Sequence, residues 1–491
     1  MDSARIGPIE LVVLVVLAVG MGVAVTSGQS TMMVAAVAGT AFMIAAFLST
    51  RLCLYFLVYS MLLGPELEFG GEFTGGAAGR KGQASLGHGM TLRLDDFLLV
   101  IVGLIWLIKA AIHKQEAPLK HTPLNGPIML YVAACALATL MGVFSGRVKP
   151  LPGFFFNLKY FEYFFLYFMV LNVVETKDQV KGLITASLWT CFFVSLFAIA
   201  QIPSGDRVSA PFEGKEGEPN TLGGYLVFML SIVTGLLMTP GAVQKKWPLL
   251  ALVFFGVFSV LATLSRSSYL AAAVVLLAIV GKMSYKRPLL FSIMFMVLAA
   301  SPWWLPKPVT DRVFFTFTQA AEKGQEKVAG VRVDTSTSER IRNWEQAMES
   351  FKKSPIYGMG VTGARYFIDG MYPRTLSETG LLGLASFLWL CWMVFRVGWT
   401  SYHEVRDPYF EGIALGFLLG HLGILTHAIG GNSFIIVRIM EPYWLFAALV
   451  MKSYMLSQSA PEEGAEARRA PSAELPEAKP GLAWSSGIRR A

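Results

Sequence analysis

The feature that most constrains this chain is a succession of apolar runs separated by short polar connections. They fall at about 11–25, 32–48, 52–63, 96–112, 127–143, 154–174, 182–202, 221–238, 248–264, 268–281, 288–305, 378–398, 410–428 and 432–451. An upright helix needs about 20 apolar residues to cross a bilayer, so 52–63 and 268–281 are short for the purpose. The expected fold is an all-α polytopic membrane protein with about 12–14 transmembrane helices. Composition agrees, because 54% hydrophobic residues, 15% charged residues and a mean hydropathy of +0.54 exclude an ordinary soluble domain. The first run lacks a small-residue cleavage site and reads as an uncleaved helix. One membrane domain is expected over 1–456, without internal repeats. A disordered tail is expected over 457–491, which is rich in Ala, Pro, Glu and Arg and too polar to bury a core.

The net charge of +8 is scattered between the apolar runs, with no basic patch carrying interleaved aromatics. That pattern argues against nucleic acid and for membrane lipid and acidic or phosphorylated substrates. Cys53, Cys135, Cys191 and Cys391 all sit inside apolar runs, with neither the spacing of a zinc site nor that of a disulfide framework. Orientation follows from the short connections. With a cytoplasmic N-terminus, the inside segments include 113–124 with Lys114 and Lys120, Lys245-Lys246, and 282–287, all basic. Both termini are then cytoplasmic, and 64–92, 203–218 and 307–376 lie outside. The outer segments carry Arg207, Lys215, Arg312, Arg340, Arg342, Arg365 and Arg374. The rule tolerates such residues in long loops, and a basic surface beside the outer leaflet suggests an anionic substrate there.

One long stretch, 334–383, is polar. Ser336-Thr-Ser-Glu339 reads as a capping box that starts a helix. Ile341, Trp344, Met348 and Phe351 recur at spacings of three and four, which makes the helix amphipathic and places it on the membrane surface or on the protein itself. Pro355 and Gly358 end it, and the glycines of Gly358-Met-Gly360-Val-Thr-Gly363 suit turns with positive φ or a close approach of backbone to a ligand.

A charge at a helix centre in the membrane costs about 2.5 to 3.5 kcal/mol on insertion scales and needs a partner or a task. Lys159 with Glu162, and Arg438 with Glu441, have the spacing to pair along one helix face. Arg266, in Leu264-Ser-Arg-Ser-Ser268 at the outer junction of two runs, has no such neighbour; snorkelling to phosphates is one account and a site role the other. His421 and His427 receive no role, since a histidine in a membrane helix is more often a packing residue than a catalyst.

Three stretches carry a resemblance. Arg207 is followed by a short Gly-bearing loop and by Pro219-Asn-Thr-Leu-Gly-Gly-Tyr-Leu226. Leu264-Ser-Arg-Ser-Ser-Tyr-Leu270 follows, and then Arg340-x-x-x-Trp344 with Pro355-Ile-Tyr-Gly-Met-Gly360. In this order and on one side of the membrane, over about 200–400, the chain resembles the family of O-antigen ligases and O-antigen polymerases, integral-membrane glycosyltransferases of GT-C-like fold. The ligase pattern has His followed by Asn, Ser or Gln ahead of Gly-x-x-Gly. Anchored on Gly380-Leu-Leu-Gly383, those positions hold Asp369 and Gly370.

The resemblance implies transfer of a glycan from an undecaprenyl diphosphate carrier to an acceptor hydroxyl at the periplasmic face of the bacterial inner membrane. It implies no metal, nucleotide sugar or other cofactor, and it names a polysaccharide flippase and a chain-length regulator as partners. Asp-Gly in place of His-Asn points to a polymerase rather than a ligase acting on a lipid A-core acceptor. Arginine suits the chemistry, because its charge is permanent and its planar fork matches diphosphate. Arg266 is the catalytic candidate, and Arg207, Asn220 and Arg340 are the binding candidates. Asp369 is the candidate base for the acceptor, its other reading being a turn with Gly370. A polysaccharide transporter and an export-complex scaffold are the rivals from other classes. The basic residues favour an enzyme, since they gather in external loops rather than along a passage. The orientation is open to direct test: a cysteine introduced at Gln325 should be labelled by an impermeant reagent from the periplasmic side, and labelling only after the inner membrane is breached refutes it.

Overall fold

The computed structural model describes residues 49–64, 66–68, 91–112, 119–212, 217–284, 306–320, 325–328, 331–364 and 368–458, with 292, 296 and 300. The expected runs 11–25 and 32–48, most of 288–305, and the tail beyond 458 lie outside the described residues. The chain is an all-α polytopic membrane protein. The described helices are α1 (Thr50–Leu63), α2 (Leu94–Ile112), α3 (Asn125–Phe144), α4 (Pro150–Val173), α5 (Lys177–Gln201), α6 (Pro219–Met238), α7 (Trp247–Ala262), α8 (Arg266–Ser284), α9 (Lys307–Thr318), α10 (Thr335–Lys353), α11 (Met371–Glu404), α12 (Pro408–His427) and α13 (Val437–Gln458). Two short antiparallel pairs, Glu66–Glu68 with Thr91–Arg93 and Lys327–Val328 with Val331–Arg332, are the strands among the described residues.

Six of these helices, α3, α4, α5 with its short 3-10 extension, α6, α11 and α12, are long and apolar enough to cross a membrane. Local chemistry sets their ends. Proline stands in the first turn of α4, α6, α7 and α12, where its missing N–H has no helical partner to lose. Thr176 and Gln179 close a reciprocal capping box on α5. Packing is not simply sequential: α3 lies against α11, and α5 against α1 and α7.

The core is organised on α13, buried from Arg438 to Ser453, and on the pair α6 and α12. Gly412, Gly416 and Gly420 line one face of α12 at four-residue spacing. A Cβ built on Gly416 would come within 2.6 Å of the Ile232 Cα, and one on Gly235 within 2.3 Å of the Gly416 amide nitrogen. In hydrocarbon, helix association relies on such close backbone packing.

Lys159 reaches Glu162 at 3.2 Å, as its spacing predicted, and also Asp96 at 2.5 Å. The expected pair of Arg438 with Glu441 does not form. The Arg438 guanidinium donates to the carbonyls of Leu62, Pro211 and Phe212, closing chain ends that the helices leave open, while Glu441 lies beside Asp95 and Arg93.

The polar stretch re-enters the bundle earlier than expected, since residues 371–379 are helical and largely buried. Gly380, at φ 64° and ψ −160°, breaks α11 there. Across the break the incoming loop forms a backbone ladder: Met359 N–H donates to Ser377 O, Gly360 N–H to Glu378 O, Leu381 N–H to Pro355 O and Leu382 N–H to Ile356 O. The expected positive φ occurs here at Gly358, with 70°, and at Gly360, with 92°. A Cβ on Gly380 would lie 2.5 Å from the Ile356 oxygen. Gly380→Ala combines strain with a backbone clash and should destabilise the protein by roughly 3 kcal/mol or more. Gly126→Ala, where a Cβ meets nothing within 4 Å, is the control. Thermal unfolding in detergent checks this, and equal midpoints for the two variants would refute the ladder's importance.

Candidate functional site

The site grows from the turn between α7 and α8. Leu264 takes φ 49°, unusual for a branched side chain, and the chain reverses within Thr263-Leu-Ser265. Thr263 Oγ1 supports the turn, donating to Val260 O and accepting from Ser265 N–H. The loop carrying Arg207 is pinned to the same turn, with Arg207 Nε donating to Thr263 O at 3.0 Å and Val208 N–H to Ala262 O. Ser265 Oγ donates to Asn220 Oδ1 at 2.7 Å, which binds the first turn of α6 to it.

Arg266 does not stand alone. Its guanidinium meets Asp334 Oδ2 at 2.7 Å and Thr316 Oγ1 at 2.7 Å, so snorkelling is not its role here. Asp334 is also the N-cap of α10, its Oδ1 accepting from Thr337 N–H at 3.2 Å. The helix therefore starts at Thr335, ahead of the expected capping box; Ser338 instead donates to Asp334 O and accepts from Glu326 N–H. The helix rests on the protein by its polar face and leaves its apolar stripe exposed. Trp344 and Met348 are 45% and 43% exposed, and the buried residues are Ser338, Asn343 and Ala347. A polar surface at the end of the bundle selects the polar and small face of this helix.

That face delivers two contacts. Arg340 donates to Gly430 O at 3.0 Å and lies 3.4 Å from Ser267 Oγ. Asn343 donates to Asp369 O at 3.2 Å. Asp369 is held from the other side by Asn432, whose Nδ2 donates to Ile368 O at 3.1 Å and approaches Asp369 Oδ1 at 3.5 Å. Among the described residues Asp369 forms no ion pair within 4 Å. Gly370 follows at φ 111°, so the Asp-Gly pair also makes the sharp entry into α11.

The five residues singled out from sequence, Arg207, Asn220, Arg266, Arg340 and Asp369, thus gather at one end of the bundle. The sequence reading missed Arg312, which acts electrostatically on both Arg207 and Arg340, as does Arg266. Burial and these like charges lower the Arg207 and Arg340 guanidinium groups below the ordinary arginine value; Asp369 and Asp334 pull Arg340 back. All remain protonated at neutral pH. Burial would raise the Asp334 carboxyl, but hydrogen bonds from Arg266 and Thr337 outweigh it and hold the group below its usual value. At Asp369 the balance reverses: burial raises it, and the opposing Arg340 charge does not compensate. The four guanidinium groups give this end of the bundle a basic character suited to an anion.

His427, given no role from sequence, closes a buried polar line behind the arginines. Its Nε2 lies 3.2 Å from Ser268 Oγ and its Nδ1 2.7 Å from Ser433 Oγ, and Ser268 Oγ continues to Ser265 Oγ at 2.8 Å. A tertiary contact of this kind has no signal in spacing. His421 instead packs against Tyr443, with Nδ1 2.7 Å from its hydroxyl. A small cavity deeper in the bundle, lined by Tyr131, Tyr163, Phe387 and Trp444 among others, has no charged residue in its wall.

Asp334 joins a cap and an ion pair, and two variants separate them. Asn caps about as well as Asp, whereas Ala loses about 0.5 to 2 kcal/mol of cap. Amide hydrogen exchange over 335–340 should accelerate more in Asp334→Ala than in Asp334→Asn; equal rates would show that the cap contributes nothing.

Residues 250–388 match the family model described as O-antigen ligase, a segment that includes Arg266, Arg312, Asp334, Arg340 and Asp369. No curated protein matches the chain.

Proposed function

We propose, from the match of residues 250–388 to the O-antigen ligase family model, that this chain is a polysaccharide polymerase that elongates a lipid-linked glycan at the outer face of the bacterial inner membrane. The observation that carries the reading is the meeting of Arg207, Arg266, Arg312 and Arg340 beside Asp369, a half-buried carboxylate that forms no ion pair among the described residues. In the proposed reaction the acceptor hydroxyl attacks the anomeric carbon of the donor glycan. The bond between that carbon and the diphosphate oxygen breaks, the electron pair stays with undecaprenyl diphosphate, and the hydroxyl proton passes to Asp369.

Each part suits its task. Arg266 directs one donor to Asp334 and one to Thr316, and a guanidinium has five N–H groups, so it retains donors for phosphate oxygens. Fixed positive charge stabilises the leaving group as its negative charge develops, without reorganisation at the moment of reaction. A carboxyl raised by burial is a better base than one in water. Asp369 in place of the ligase histidine favours polymerase over ligase, and both termini are read as cytoplasmic.

Purified protein incubated with lipid-linked oligosaccharide tests the class of activity. Longer glycan supports the polymerase, transfer to a lipid A-core acceptor alone supports a ligase, and no new glycan favours a transporter or scaffold. Arg266→Lys keeps charge but loses the planar fork, and should reduce transfer by about tenfold or more at unchanged membrane level. Unchanged output from Arg266→Ala would remove that residue from the site. Asp369→Asn should abolish transfer and leave carrier binding intact, since the amide keeps the shape and takes no proton. In the unaltered enzyme, activity should fall as pH drops through a value above the ordinary carboxylate range, because the protonated carboxyl cannot act as base. Near-normal chain growth by Asp369→Asn would assign the Asp-Gly pair to the turn alone.

A further inference from the structure

Behind the arginines runs an unbroken line of side chains from Ser433 through His427, Ser268 and Ser265 to Asn220. The first four are 0%, 0%, 0% and 1% exposed, which removes water as an alternative partner, whereas Asn220 is half-buried. Space has been cleared for the line. A Cβ on Gly223 would lie 2.1 Å from Ser268 Oγ, and one on Gly224 would lie 3.1 Å from the His427 Cε1. The glycine pair after Asn220 is therefore what admits the serine and the imidazole against α6.

The hydrogen-bond directions follow one another. Asn220 Oδ1 only accepts, so Ser265 gives it its single proton. Ser268 must then donate to Ser265, and with that proton used it can only accept from His427 Nε2. In a neutral ring, His427 Nδ1 is then left to accept from Ser433. The directions thus put a proton on Nε2, and they leave an Asn220 carboxamide whose oxygen faces the buried line and whose NH2 is a donor beside the arginine-bearing turn.

We infer that His427 is a positioning residue which, through Ser268 and Ser265, fixes the orientation of the Asn220 carboxamide so that its NH2 donates to the anionic glycan donor. The inference rests on the reading of this site as one for a glycan diphosphate. His427 touches no reacting atom in this account; it sets a neutral donor among the charged ones, contributing to recognition more than to the chemical step.

Two measurements test it. The first is solid-state NMR of full-length protein in nanodiscs, labelled with 15N,13C-histidine, with the His427 signals identified by their loss in His427→Gln or by their shift in Ser433→Ala if the glutamine variant does not fold. A neutral ring protonated on Nε2 is expected, and a ring protonated on Nδ1 overturns the inference. The second is a double-mutant cycle of Ser268→Ala and Asn220→Ala, read as undecaprenyl diphosphate binding and as KM and kcat with lipid-linked oligosaccharide. One hydrogen bond to a charged group corresponds to about a tenfold change. Each single variant should weaken carrier binding and raise the donor KM by about that factor, with kcat changed less than about threefold, and the double variant should be no worse than either. Losses that multiply would overturn the inference while leaving the transfer reading intact. Carrier binding with a non-additive cycle, in a protein that transfers no glycan, would uphold the role of His427 and defeat the transfer reading. No binding of undecaprenyl diphosphate by the unaltered protein defeats both.

Discussion

The end of the bundle that carries the arginines depends on the contact between Arg266 and Asp334. Asp334 is 2% exposed, and a carboxylate so buried is tolerated only against a cation and backbone donors, both of which it has. Breaking such a pair from one side leaves an uncompensated buried charge, at about 3 to 5 kcal/mol. The same carboxylate caps α10, so the ion pair fixes where that helix begins and how it lies. Helix phase does the rest: with the start set, Arg340 meets Gly430 and Asn343 meets the Asp369 backbone. The junction of two membrane helices thereby determines the position of a carboxylate that is 35 residues further along the chain than Asp334.

Gathering four arginines requires that their mutual repulsion be met elsewhere. Arg207, Arg266 and Arg340 each direct part of the guanidinium at protein oxygens, namely the Thr263 carbonyl, Asp334 with Thr316, and the Gly430 carbonyl. These bonds orient the planar groups before any ligand arrives. The remaining repulsion is the stored counterpart of anion affinity, relieved when negative charge enters. Lysine would serve less well, because its compact ammonium is more strongly hydrated and cannot serve a protein acceptor and a phosphate through one rigid fork.

Much of the bundle was legible, because the length of an apolar run and the presence of proline at its head are local properties. The described spans from α3 to α7 and α12 begin and end within a few residues of the apolar runs, and Lys159 pairs with Glu162 as a three-residue spacing allows. The failures share one cause. Asp334 competes with Ser336 for the cap because Arg266 lies opposite it, a contact 68 residues away in sequence. The spacing of Trp344 and Met348 marks α10 as amphipathic, but which residues it turns to the protein, Ser338, Asn343 and Ala347, depends on partners that the spacing does not name. Arg438 prefers open carbonyls at Leu62, Pro211 and Phe212 to the carboxylate one turn away. Arg312 and His427 carry no local mark at all; only the approach of separate helices gives them neighbours.

The ladder at Gly380 has a mechanical meaning. Through backbone hydrogen bonds on both sides of a helix break, residues 355–360 are joined to a membrane helix much as strands are joined in a sheet. Because the ladder is built from backbone groups, a side-chain substitution away from its glycines leaves every donor and acceptor in place. Proline at 359, 360, 381 or 382 is the exception, since each of those positions donates its N–H to the ladder.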